Sequence, residues 1–252
     1  MTEYLTTSEG RRIAFNRSPG SGPGIVFLGG FKSDMEGTKA LALEAWAQAQ
    51  GRAFLRFDYS GHGASEGAFT DGAIGDWFED ARDAIMSLTE GPQILVGSSM
   101  GGWISLLMCR DYPEKVAGLV TIAAAPDFTE DGYWASFDKD TRRQLEQEGQ
   151  VAVPSDYGEP YIITRRLINE GRNRLVLRSP LPLPFPTRFL QGTADEAVST
   201  ETALRLLDHA EGADMRLTLV KGADHRFSDP DCLALIGAAV EDVLARPRAA
   251  AG

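Results

Sequence analysis

Gly97-Ser98-Ser99-Met100-Gly101, set between the apolar run Gln93–Val96 and the helical run Gly102–Tyr112, is the stretch from which the fold can be read. A short strand, a glycine-flanked serine and an immediate helix describe a strand-to-helix turn. Gly97 and Gly101 permit the sharp reversal and close packing of such a turn, which thrusts Ser99 up from the sheet edge. The next backbone N–H, on Met100, then falls at a helix N-terminus, where partial positive charge favours an anion. A serine hydroxyl is a useful nucleophile only when it is exposed, deprotonated and faced with donors for the oxyanion it creates. The turn meets the first and last of these needs, so it reads as a nucleophile elbow.

The five-letter pattern carries little authority alone. With 27 glycines in the chain, a chance G-x-S-x-G is expected roughly 0.17 times. A second copy does occur, Gly63-Ala64-Ser65-Glu66-Gly67. It follows Asp58-Tyr59-Ser60-Gly61-His62 and leads into Ala68-Phe69-Thr70-Asp71-Gly72, a glycine-punctuated loop with no helical run behind it. Context therefore assigns the nucleophile to Ser99, a loop role to Ser65, and a turn or packing role to Ser98.

Outward from the elbow, strand-like and helical segments alternate, the mark of a mostly parallel sheet with helices on both faces. Tyr4–Thr7 and Arg11–Arg17 straddle Glu9-Gly10 as an antiparallel hairpin, and Gly24–Leu28 is a buried strand ending at Gly29-Gly30. Ser33 with Glu36 reads as a capping box before a helix that carries Leu43, Trp46 and Ala47. Arg52–Phe57 is the next strand, and Asp76 with Glu79 repeats the capping pattern before a helix with Phe78, Ala81 and Ile85. Val116–Ala124, Thr187–Leu190 and Arg216–Val220 complete the strands, with the helix Glu201–Ala210 between the last two. Asp229-Pro230 is an N-cap and first-turn pair for a closing helix.

From Pro126 to Pro186 the rhythm breaks. Aromatics (Phe128, Tyr133, Trp134, Phe137), a charged helix near Lys139–Gln147 and a second helical run near Ile163–Arg172 replace core strands. So long an excursion inside a compact domain is usually functional. The expected organisation is a core of residues 1–125 and 187–252 with a cap over the site at 126–186.

An elbow serine needs a base and an orienting acid, in the chain order Ser…Asp…His associated with this turn. Of three histidines, His225 lies just past the last strand in Lys221-Gly222-Ala223-Asp224-His225-Arg226, at the carboxyl edge of the sheet. His209 sits late in a helix and His62 precedes the elbow, so His225 is the candidate base. Asp195, in the loop after Thr187–Leu190, is the candidate acid, ahead of Asp127 and of Asp224. Glu196 adjoins Asp195 and is easily confused with it. The second oxyanion donor belongs to Leu28-Gly29-Gly30-Phe31-Lys32, with the Phe31 N–H favoured beside that of Met100.

Bulk properties exclude several classes. A formal net charge of −11 argues against sequence-independent nucleic-acid binding and disfavours adhesion to anionic membranes. Colloidal solubility is the simpler use of that charge. Cys109 and Cys232 form neither a disulfide framework nor a zinc cluster. Met1-Thr2-Glu3-Tyr4-Leu5 lacks the basic start and apolar stretch of a signal peptide, and no apolar run spans a bilayer. The expectation is a cytoplasmic protein without metal or cofactor.

These residues together resemble the α/β-hydrolase superfamily, which implies a mostly parallel eight-stranded sheet with a small helical cap. The similarity is closer to one branch. Phe31…Glu36-Gly37-Thr38-Lys39-Ala40-Leu41, Arg56-Phe57-Asp58-Tyr59-Ser60-Gly61 and Gly91–Trp103 resemble the animal mitochondrial hydrolases described as palmitoyl-protein thioesterases and acyl-glucuronide esterases, and their bacterial relatives. That resemblance implies hydrolysis of small-molecule or lipid-acyl esters or thioesters, an acylated protein among the candidate substrates, with Ser99, Asp195 and His225 as nucleophile, acid and base. Gly29-Gly30 departs from the His-Gly of many members, which removes a loop-ordering side chain. Two rival readings use the same scaffold: an acyltransferase on the same triad, and a non-catalytic ligand-binding protein. Dehalogenase and epoxide-hydrolase chemistry is disfavoured, because those enzymes place a carboxylate where Ser99 stands.

Overall fold

The computed structural model describes residues 2–155 and 158–246. Eight strands form one sheet in the order β1-β2-β4-β3-β5-β6-β10-β12. They are β1 (Glu3–Thr6), β2 (Arg12–Ser18), β3 (Ser21–Leu28), β4 (Arg52–Phe57), β5 (Gln93–Ser98), β6 (Val116–Ile122), β10 (Thr187–Gly192) and β12 (Met215–Val220). The first two pair antiparallel, β2 meets β4 antiparallel, and every pairing from β4 onward is parallel. The helices of the core are α1 (Thr38–Ala49), α2 (Ile74–Leu88), α3 (Met100–Asp111), α6 (Thr200–His209) and α7 (Pro230–Leu244).

Period-2 alternation in β3 sends Ile25 and Phe27 to one face and Val26 and Leu28 to the other. On the first face they meet Ala40, Leu43 and Ala47 of α1 and Ile236, Val240 and Val243 of α7. On the second lie Trp77, Phe78 and Ala81 of α2 and Trp103, Leu106 and Leu107 of α3. The chain passes from β3 to β4 on one side, then returns to β5 on the other. That reversal opens a crevice at the carboxyl ends of β3 and β5, where ligands collect in open α/β sheets.

Two of the expected helix starts move. The helix expected after Ser33 begins at Thr38 with Gly37 as N-cap, because the Ser33 hydroxyl is already committed to the Gly30 carbonyl at 2.8 Å. Asp76 is the third residue of α2 rather than its cap, and its carboxylate accepts the Ala73 N–H at 2.8 Å. Asp229 caps α7 as expected, accepting from Asp231 and Cys232.

Among the described residues between β6 and β10, no segment joins the main sheet. The chain instead makes a π-helical turn at Phe128–Trp134, α4 (Lys139–Glu148), an antiparallel pair β7 (Gln150–Val153) and β8 (Tyr161–Thr164), then α5 (Arg165–Gly171). The run expected as helical from Ile163 is thus strand until Thr164, whose hydroxyl caps α5. Two two-residue strands, β9 (Leu181–Pro182) and β11 (Ala210–Glu211), pair to close the segment. Among the described residues no helix is long and apolar enough to cross a membrane.

Candidate active site

Ser99 occupies φ 54°, ψ −116°, a strained conformation for a residue with a side chain. Its surroundings hold it there: its N–H donates to the Ile122 carbonyl at 2.9 Å, and its carbonyl accepts from Gly102 and Ala125. A Cβ at Gly97 would run into the Gly101 carbonyl and the Ser105 hydroxyl, and one at Gly101 into the Leu28 carbonyl. The glycines are therefore demanded by contact between α3, β5 and β3. Among the described residues, five that are not glycine have positive φ, namely Lys32, Ser99, Ala123, Asp127 and Phe227. All five follow carboxyl ends of β3, β5, β6 or β12, so backbone strain gathers at the edge that holds the crevice.

At that edge the structure brings Ser99, His225 and Asp195 together. His225 Nε2 lies 3.2 Å from Ser99 Oγ, and His225 Nδ1 lies 2.9 Å from Asp195 Oδ2. The ionised carboxylate only accepts, so it selects the tautomer with the proton on Nδ1 and leaves a lone pair on Nε2 facing the serine. Asp195 Oδ1 accepts the N–H groups of Ala197 (2.9 Å) and Val198 (2.8 Å), while Gln191 Nε2 donates to Oδ2 at 3.0 Å. Burial opposes its charge. Hydrogen bonds from His225, Val198 and Gln191 outweigh that and hold its carboxyl below the usual range. Its side chain is 0 % exposed against 21 % for His225, which places the base between the buried acid and the cleft.

The alternatives are occupied elsewhere. Asp127 is buried under its own partners, the N–H groups of Val176 and Leu177 and the Arg178 guanidinium. Asp224 accepts the Phe227 N–H at 3.1 Å, and Glu196 is exposed. His209 faces the carbonyls of Val176 and Ser179, and His62 is packed among Tyr59, Phe69 and Trp77. Ser65 donates to the Asp58 carbonyl at 2.7 Å and accepts the Ala14 N–H at 2.8 Å, which makes it a turn residue.

Among the described residues, none accepts a hydrogen bond from the N–H of Phe31 or Met100. The loop that carries Phe31 is ordered without a histidine. Ser33 holds the Gly30 carbonyl, and Tyr59 Oη donates to that of Gly29 at 3.3 Å. The Phe31 ring meets Phe69 and Trp77 of the core and Phe128, Tyr133 and Tyr161 of the excursion, at centroid distances from 4.8 to 6.3 Å. A cleft of about 600 Å³ opens over Ser99 and His225, bounded by Gly30, Phe31, Lys32, Lys39 and Arg226. From the excursion, Glu159 and Tyr161 are the described residues that line it. Phe128 and Tyr133 instead pack on each other and on Phe31, and Phe137 stacks on Tyr133. Another cleft of about 650 Å³, at the amino ends of the strands beside Gly24 and Gln93, holds neither nucleophile nor base.

Two contributors are missing from the sequence reading. Gln191 falls just past the expected strand Thr187–Leu190, and nothing in its local pattern shows that the side chain turns toward Asp195. Lys39 stands in the sequence only within the family-like run Glu36–Leu41, and its place on the cleft depends on how α1 docks beside the His225 loop.

Residues 24–147 match the family model described as serine aminopeptidase, S33. The chain is 36% identical over 246 residues to a mitochondrial palmitoyl-protein thioesterase of Bos taurus, ABHD10, covering 96% of this chain and 79% of that one. The solved structure of mouse alpha/beta hydrolase domain-containing protein 10 superposes with a TM-score of 0.90 at 35% identity, over 97% of this chain and 98% of that chain. An Agrobacterium vitis S4 protein does so with a TM-score of 0.91 at 39% identity, over 96% and 98%. With the elbow, the sheet order and this similarity in agreement along nearly the whole chain, the protein belongs to the α/β-hydrolase family and is a hydrolase related to its esterases and thioesterases.

Proposed function

We propose that the protein hydrolyses carboxylic esters or thioesters through Ser99, His225 and Asp195, by way of an acyl-enzyme. The observation that carries this is the continuous path Ser99 Oγ–His225 Nε2, His225 Nδ1–Asp195 Oδ2 at the strained elbow. His225 takes the hydroxyl proton as Ser99 attacks the acyl carbonyl, and Asp195 steadies the imidazolium that forms. The N–H groups of Phe31 and Met100 receive the oxyanion, each donor of this kind contributing about a hundred- to a thousandfold in rate. The protonated imidazole then gives its proton to the leaving alcohol or thiol. Water, deprotonated by the same base, releases the acid and restores Ser99.

Residues 126–186 act as the cap in this reading. Tyr161 and Glu159 supply a wall of the cleft, while Phe128 and Tyr133 brace Phe31. The name of the bovine relative, a palmitoyl-protein thioesterase, makes long-chain acyl thioesters the first substrates to try, with acyl glucuronides beside them. The test is turnover of p-nitrophenyl esters of graded chain length, acyl thioesters and acyl glucuronides by wild type and Ser99→Ala. Turnover lost in the variant supports the reading. Equal turnover by both removes Ser99 from the chemistry, and tight ligand binding without turnover returns the chain to the receptor class.

A further inference from the structure

His225 stands on the loop 221–229, between β12 and α7. Asp224 Oδ1 closes its turn on the Phe227 N–H, and buried Phe227 holds φ +49°. The first half of the loop is tied toward Asp195 by Ala194 N–H to the Ala223 carbonyl at 3.0 Å and Gly222 N–H to Thr193 Oγ1 at 2.9 Å. The second half meets α1, where the Lys39 ammonium donates to the Arg226 carbonyl, one residue past the base. Lys39 also lines the cleft with Ser99 and His225.

An ammonium in this place is not what packing alone requires. The neighbouring α1 positions, Ala40 and Leu43, are buried and apolar, and withdrawing a charge from water is unfavourable. Burial pulls the Lys39 pKa down to about 8. Asp224 and Asp195 raise it, Arg226 lowers it, and the nearby Cys232 thiol of α7 is itself pushed up to about 12 by burial.

We propose that Lys39 is a positioning residue for the hydrolysis above: its bond to the Arg226 carbonyl keeps the His225 loop in register with Ser99. This rests on the catalytic reading of Ser99, His225 and Asp195. Register matters because a misplacement of about 1 Å costs on the order of a hundredfold in rate.

The test compares Lys39→Met, Lys39→Gln and Lys39→Arg in the full chain. The readouts are ester kcat and KM, normalised to Ser99 labelled by a fluorophosphonate. Lys39→Met is expected to lower kcat about tenfold with KM within about twofold. Lys39→Gln keeps a donor without the charge. It is expected to lose less kcat, and keeps the test decisive if the methionine variant folds poorly. Lys39→Arg, which also keeps a donor, is expected to recover most of the wild-type kcat. Wild-type kcat in both uncharged variants overturns the proposal, as does a loss equal in all three variants or carried by KM, the mark of a purely structural staple. A wild-type protein that neither turns over esters nor takes the label overturns the catalytic reading, and this inference with it.

Discussion

At the scale of single residues, the two serines in identical five-residue patterns differ in what surrounds their hydroxyls. Ser99 Oγ faces an imidazole, whereas Ser65 Oγ sits between the Asp58 carbonyl and the Ala14 N–H. Ser99→Ala is expected to reduce esterase kcat about a millionfold, the loss seen when a nucleophile of this type is removed. Ser65→Ala is expected to keep most activity and to lose about 1–3 kcal/mol of stability by leaving the Ala14 N–H of β2 and the Asp58 carbonyl short of a partner. Steady-state kinetics beside urea melts separates the two, and the reverse pattern would transfer the nucleophile to Ser65. Gln191 acts one step further out. Gln191→Leu removes one donor from Asp195 Oδ2, so kcat is expected to fall about tenfold while KM stays near wild type. An unchanged kcat would show that the Ala197 and Val198 N–H groups alone hold the carboxylate.

Elements supply the rigidity those residues need. The elbow works because α3 begins against the end of β3, with no room between Gly101 and the Leu28 carbonyl. Gly101→Ala therefore has to push helix and strand apart, and is expected to cost about 1–3 kcal/mol or more as an overpacked junction. A lower denaturant midpoint together with weaker ester turnover is the expected pair of results; a midpoint within error of wild type would mean that the junction is looser than drawn. Strand and helix here were both legible beforehand, since the alternation of β3 and the glycine spacing of the turn are local properties. The starts of α1 and α2 were not. Ser33 and Asp76 have capping chemistry, but each was claimed by a different backbone group, the Gly30 carbonyl and the Ala73 N–H. The β7–β8 pair is not legible in the sequence, because strands of four residues are short and β8, with no exposed residue, does not alternate between apolar and exposed positions.

Across the whole molecule, the segment 126–186 joins the core through buried apolar side chains such as Leu145, Ile163, Leu167 and Val176, and is clipped to it at the surface by ion pairs. Arg166 of α5 pairs with Asp76 of α2 at 2.5 Å and Asp131 with Arg205 of α6, while Arg178 pairs with Asp131 inside the segment. Asp131 is held below the usual carboxylate range by Arg178 and Arg205. For Asp76, burial works the other way, but Arg166 and the Ala73 N–H prevail. A carboxyl with a lowered folded value contributes its full stabilisation above the unfolded value of about 3.9. That contribution is lost as the pH falls through the folded value. Asp127, raised by burial, works in the opposite sense and titrates earlier. Loosening of this segment is therefore expected below about pH 4, sooner in high salt, because several of these partners are exposed enough to be screened. Pepsin digestion from pH 4 downward should cut first within 126–186; first cuts in β5 or α3 would show that the ion pairs do not govern this segment.

The fold class, the elbow and the order Ser99, Asp195, His225 were all present in the sequence, because hydrophobic period, glycine placement and chain order are written residue by residue. The meeting of Ser99 with His225 was not, since 126 residues separate them and only parallel strands ending at one sheet edge close that distance to 3.2 Å. The same holds for Gln191 behind the acid, Lys39 beside the base and Phe31 at the centre of five rings. Their contacts join strands, helices and loops far apart in the chain. No local pattern encodes such contacts, and packing the helices on the two sheet faces decides them.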